Sequence, residues 1–146
     1  MRLSKILVPT DFSPSSQEAL ALAEVMARES GAEILIVHAQ EQPVAYGSGE
    51  LYYGLAEPDN EHIRAMLEEV HPADTNIRHE HHLLSGDVAY ALTQFAEQEG
   101  VDLIVMGTHG RSGISRILMG SIAEAVVRNA SCPVLTIKQP AEKMVR

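Results

Sequence analysis

The sequence predicts an α/β fold: a single doubly wound, five-stranded parallel sheet with helices on both faces. Two observations point to it. Five short apolar runs alternate with four segments whose apolar residues recur at helical spacing. Parallel strands need crossover connections of this kind, which are right-handed and cover both sides of a sheet. The chain has 146 residues, 45% of them hydrophobic. That suits one domain over residues 1–146, burying roughly two thirds of its unfolded surface.

Leu3 to Val8 reads as a short buried strand. Ser13 and Pro14 follow as an N-cap with proline at the first helical position. Ala19, Leu20, Ala23, Met26 and Ala27 then recur at helical spacing up to a stop near Gly31. Glu33 to Ala39 is a second strand, His62 to Val70 a helix carried by Ile63, Met66, Leu67 and Val70, and Asn76 to Leu84 a third strand. Val88, Ala91, Leu92, Phe95 and Ala96 follow the i, i+3, i+4, i+7, i+8 repeat of an amphipathic helix, which Gly100 ends. Asp102 to Met106 is the fourth strand, about Ser115 to Asn129 the last helix, and Pro133 to Lys138 the fifth strand. The connection Gln40 to Asn60 holds two prolines, three glycines and Tyr46, Tyr52 and Tyr53 without a period. Connections of that length are usually functional or disordered, so it reads as a surface loop, a cover over a ligand or a subunit contact.

Candidate chemistry concentrates where the fourth strand gives way to the last helix, in VDLIVMGTHGRSGISRILMGS (Val101 to Ser121). Glycine lets backbone N–H groups approach an anion, and the partial positive charge of a helix N-terminus stabilises that anion. Ser121 adds a hydroxyl donor. Turn chemistry alone accounts for Gly107. Gly120 falls inside a pattern that otherwise reads helical, where glycine costs roughly 1 kcal/mol relative to alanine, so its backbone is expected to be needed. No GxxxxGK[ST] occurs and no GxGxxG follows the first strand, so a phosphate site here is of another type. The formal net charge is −9, which argues against nonspecific nucleic-acid or anionic-membrane partners. Against that global field, Arg111 and Arg116 lie in a window, Leu103 to Ala123, that contains no acidic residue.

Gly107, Gly110 and the pair Gly120-Ser121 are separated by two and nine residues. This resembles the G-2x-G-9x-G-[S/T] signature of nucleotide-binding universal stress proteins. KILVPTDFS (Lys5 to Ser13), LIVHA (Leu35 to Ala39) and CPVLTI (Cys132 to Ile137) are similar to the same family in the same order. The resemblance implies a Rossmann-like sheet of order 3-2-1-4-5, ATP as ligand with or without Mg2+, and a homodimer built through the C-terminal strand, about Pro133 to Lys138. Strands one and four would then lie side by side, and their C-terminal ends would form the switch-point crevice where ligands bind in open α/β sheets.

By this likeness Pro9 and Thr10 shape an adenosine pocket, Asp11 accepts hydrogen bonds from adenine or ribose, and Ala39 offers backbone groups to the adenine. Gly107, Thr108, His109, Gly110, Arg111, Ser112 and Gly113 wrap ribose and phosphates, and Ser121, Ile122 and Ala123, following Gly120, close over the phosphates. From the residues alone, Asp11 serves equally as a helix cap beside Ser13, and His109 as a phosphate or ribose contact or as a plain loop residue. Ala39 stands where valine is more usual, and Ala123 offers no hydroxyl where some relatives have threonine; both departures bear on affinity. If the fifth strand is a sheet edge, VLTIK presents unpaired backbone groups that a second copy would satisfy.

Cys132 is the single cysteine, so no internal disulfide can form, and its place before Pro133 favours burial. His79 and His81 share a strand face and could jointly hold a metal, but no cysteine or carboxylate cluster completes such a site in sequence. His38 reads as a packed core histidine. There is no run of roughly 18 apolar residues, and the N-terminus meets an aspartate too soon for a signal peptide. The expectation is a cytoplasmic protein without membrane insertion. Three functions follow: a nucleotide-binding regulatory module that passes stress or energy status to a partner protein, a slow ATPase or nucleotidyl-transfer enzyme, or a nucleotide-free interaction module. The glycine loop carries no Asp or Glu to act as general base or to hold Mg2+, so no residue is assigned as catalytic and turnover is expected to be slow at most. Relatives that bind no nucleotide lack the glycine signature.

Overall fold

Residues 2–41, 60–108 and 119–138 are described by the computed structural model. Among them strands and helices alternate: β1 (Lys5–Pro9), α1 (Pro14–Ser30), β2 (Glu33–Gln40), α2 (Asn60–Glu68), β3 (His79–Ser85), α3 (Val88–Glu99), β4 (Leu103–Gly107), α4 (Ser121–Asn129) and β5 (Val134–Ile137). All neighbouring strands run parallel, in the order β3-β2-β1-β4-β5. β1 is central, pairing from Lys5↔Glu33 to Pro9↔Val37 on one side and Ile6↔Leu103 to Leu7↔Ile104 on the other.

Side chains alternate across a strand, so each apolar run supplies two cores. Ile6, Val8, Ile34, Ile36, Leu103 and Val105 pack against Ala19, Leu20, Ala23 and Ala27 of α1 and Leu67 of α2. Leu7, Leu35, Val37, Ile104 and Met106 pack the opposite face, against Leu92 and Ala96 of α3 and Ala123 and Val126 of α4. The small residues on α1 let its axis lie close to β1 and β4.

Helix ends follow local chemistry. Ser13 caps α1, its Oγ accepting from Ser16 N–H at 3.3 Å, and Gly31 closes it in the left-handed conformation at φ 82°. Asp87 caps α3 through Tyr90 N–H at 3.0 Å, and Gly100 ends it at φ 69°.

Several boundaries differ from the sequence pattern, and those of α2, β3 and α4 bear on the structure around them. α2 runs Asn60–Glu68, so Val70 lies beyond it. β3 starts at His79 instead of Asn76, because a turn at Asp74 takes the preceding residues: Asn76 N–H donates to Asp74 Oδ1 at 2.9 Å and Ile77 N–H to the Asp74 carbonyl at 3.2 Å. α4 starts at Ser121 instead of near Ser115, with Met119 and Gly120 non-helical. Gly120 is therefore the N-cap, in extended conformation (φ −64°, ψ 158°), and the helix-interior cost inferred for it does not arise. Residues 42–59, nearly all of the Gln40 to Asn60 connection, lie outside the described residues, as does the tail from 139 onward.

The turn between α2 and β3 is anchored by Glu24, which is 8% exposed on α1. Its carboxylate accepts from Ala73 N–H at 3.1 Å and Asp74 N–H at 2.8 Å, and pairs with Arg28 at 3.3 Å. Glu24→Ala orphans two backbone donors and is expected to lower stability by about 1–2 kcal/mol, measured by urea unfolding. Asp74 in turn pairs with Arg28 at 3.3 Å. The Asn76 N–H, then the Arg28 guanidinium, hold its carboxyl below the ordinary carboxylate range. A depressed folded-state value means this stabilisation is present above the ordinary range and is lost as pH falls through the depressed one. The Tm difference between wild type and Asp74→Asn should therefore shrink as pH drops below about 4.

Candidate functional site

The C-terminal ends of β1 and β4 open into a crevice of about 320 Å3, a size usual for small-molecule sites. β1 and the turn after it contribute Pro9, Thr10 and Asp11, β2 contributes Ala39, and β4 with the following residue contributes Gly107 and Thr108. Gly120, Ser121, Ile122 and Ala123 close the far side. Ten of the sequence-predicted residues thus meet around one cavity. His109, Gly110, Arg111, Ser112 and Gly113 lie outside the described residues.

Five lining residues were not foreseen: Ser13 and Ser16 at the start of α1, Val88 and Leu92 on α3, and Met106 on β4. Ser13 carried a visible capping signal, and Val88 and Leu92 a visible helical period. Their place in a cavity wall depends on strand order, which neither signal contains.

The α4 end of the cavity is electropositive by construction. Gly120 gives the helix no side-chain cap, so the first-turn N–H groups have no acceptor from the capping residue. Gly120 N–H donates to the Thr108 carbonyl at 2.7 Å and ties the start of α4 to the end of β4. On the β1 side, Asp11 is the one carboxylate among the described lining residues. Its Oδ1 accepts from Ser13 N–H at 3.0 Å, so it buttresses the capped turn without being the cap. A carboxylate has about four lone-pair sites, leaving capacity for donors on a ligand.

Thr10 is held from several sides. Its N–H donates to the Val37 carbonyl at 2.8 Å, and its Oγ1 accepts from Phe12 N–H at 3.0 Å. Ser16 Oγ donates to the Ser13 carbonyl at 2.8 Å, so the 3.1 Å contact between the two hydroxyls has Thr10 as donor. His38, half-buried, donates from Nδ1 to the Thr10 carbonyl at 2.8 Å and packs its ring 4.7 Å from that of Phe12. It is packed against Phe12 at the margin of the core instead of within it, and it braces Thr10 of the cavity wall.

Gly107 is glycine for a reason other than turn chemistry. It is the last residue of β4 and its φ is not positive. A Cβ built on it would overlap Ser15 Oγ and lie 3.1 Å from Ser15 Cβ. Ser15 is 3% exposed, and its hydroxyl has no hydrogen-bond partner among the described residues. The close approach of α1 to β4 fixes this glycine.

His79 and His81 share a face, with ring centroids 5.3 Å apart, and His71 stacks on His79 at 6.4 Å. His81 Nε2 donates to the Val70 carbonyl at 2.6 Å. Among the described residues no group of three His, Cys, Asp or Glu is placed to hold a metal ion. Cys132 is only half-buried, and burial pushes its thiol above the ordinary range. No helix among the described residues is long and apolar enough to cross a membrane.

The chain is 37% identical to a universal stress protein of Methanocaldococcus jannaschii, over 95% of this chain and 84% of that protein. The solved structure of a second protein of that organism, MJ0577, aligns with a TM-score of 0.73 at 28% identity, covering 97% of this chain and all of that one. A universal stress protein solved in complex with cAMP aligns with a TM-score of 0.67 at 28% identity, covering 94% and 98% of the two chains. The model of the universal stress protein family matches residues 3–138. With the strand order and the residue pattern in agreement over that span, the chain belongs to the universal stress protein family.

Proposed function

We propose that this protein binds ATP in the β1/β4 crevice and acts as a dimeric, nucleotide-dependent regulatory module that signals stress or energy status to a protein partner. One observation carries the reading: the N-terminus of α4, without a side-chain cap, faces the same cavity as the Asp11 carboxylate. An anion belongs at the first end and hydroxyl or amine donors at the second, and a nucleotide has both. Backbone from β2 and apolar wall from Val88, Leu92 and Met106 suit a flat base between them. The related protein solved with cAMP binds an adenine nucleotide, which supports the same ligand class here. The described wall supplies one carboxylate, Asp11, so any Mg2+ would depend on the nucleotide for most of its ligands and would help to neutralise its charge.

For the dimer, β5 is the sheet edge opposite β3, and its Leu135 is 37% exposed. Pairing with a second copy would cover both the apolar side chain and the unpaired backbone.

The test is to purify the protein without added nucleotide, denature it, identify released small molecules by mass spectrometry, and titrate the refolded or empty protein with ATP. Stoichiometric ATP or ADP, or saturable ATP binding, supports the reading. An empty protein that also fails to bind added ATP overturns it and leaves an interaction module.

A further inference from the structure

Phe12 is the sole non-glycine residue at positive φ among the described residues, at 68°. A side chain with a Cβ disfavours this left-handed backbone, and for a bulky aromatic it is an outlier that only its surroundings can enforce. Those surroundings are visible. Phe12 N–H is bound by Thr10 Oγ1 at 3.0 Å, and its ring packs on the buried core and lies 4.7 Å from the His38 ring, inclined at 35°. His38 is itself tied to the Thr10 carbonyl at 2.8 Å. The strained residue sits between Asp11, which lines the crevice, and Ser13, which caps α1 and also lines it.

Glycine would make the same reversal without steric cost. What glycine lacks is the ring that holds the turn against β2. Strained backbone persists where the structure around it over-determines it, and it collects at ligand sites because it fixes geometry in advance. We propose that Phe12 is the positioning residue of the crevice: clamped on His38, its left-handed backbone fixes the Asp11 carboxylate in the orientation that receives the ligand's donors. This rests on the nucleotide reading above.

A double-mutant cycle on the full chain, read by ATP affinity, tests it. Asp11→Asn keeps the acceptor for Ser13 N–H while removing the charge. Phe12→Gly is expected to weaken ATP binding about tenfold when Asp11 is present and less than twofold in the Asp11→Asn chain. Phe12→Tyr, which retains the ring, should stay within twofold of wild type. Circular dichroism confirms a native fold in each variant, and Phe12→Asn, which tolerates the left-handed backbone, replaces Phe12→Gly if that chain does not fold. Equal losses in both backgrounds, or no loss in either, would overturn the proposal while leaving ATP binding intact. Failure of the wild type to bind ATP would overturn both.

Discussion

Ser121→Glu is expected to weaken ATP binding at least about 100-fold, roughly 2.7 kcal/mol, while leaving the protein as stable as wild type or slightly more so. Ser121 is the first residue of α4, exposed, on the crevice side of a helix start that has no side-chain cap. A carboxylate in the first turn interacts favourably with the helix dipole, typically by about 0.3–1 kcal/mol. The same carboxylate occupies the place, and carries the charge, that the proposal gives to a phosphate. Fold and site thus respond with opposite signs, and a single variant separates them. Calorimetric titration gives the affinity and thermal unfolding the stability. Unchanged affinity with raised Tm would show that the anion does not sit at α4.

Gly107→Val is expected to lower stability by about 3 kcal/mol, and Gly107→Ala by about 1–2 kcal/mol. In both, the new Cβ meets Ser15 Oγ, with Ser15 Cβ at 3.1 Å and the Ser15 carbonyl carbon at 3.4 Å, so rotating the serine relieves only part of the overlap. Ser15→Gly combined with Gly107→Ala should recover most of the loss, because the two changes share one contact and their effects do not add. Urea unfolding of the four chains of this cycle gives the coupling. An alanine tolerated without cost would mean that α1 does not press on β4 as closely as described.

How legible this was in the sequence differs from residue to residue. Leu3 to Val8 and Asp102 to Met106 read as strands, and both exist, although they begin at Lys5 and Leu103; within them Ile6 to Val8 and Leu103 to Met106 are buried. Ser13-Pro14 announced the start of α1, and Gly31 and Gly100 its stop and that of α3; all three stand where expected. The start of β3 was misplaced because the Asp74 turn reads, in one dimension, like more strand. Gly120 reads as a helix interior because the helical pattern in the sequence continues upstream of it to about Ser115, and periodicity carries no mark where a helix begins without a polar cap.

The alternation of strands and helices is legible in the chain, since periods of 2 and 3.6 are local properties, and residue type alone draws notice to the glycine-rich turn and Asp11. Strand order came from resemblance. The resemblance also put Asp11 and the start of the last helix around one ligand; tertiary structure added that Val88 and Leu92 wall that cavity, that Gly107 answers to Ser15, and that Phe12 is held left-handed against His38. These are contacts between residues tens of positions apart in the chain. Their geometry is set by how closely helices pack on the sheet, a quantity no local pattern of residues records.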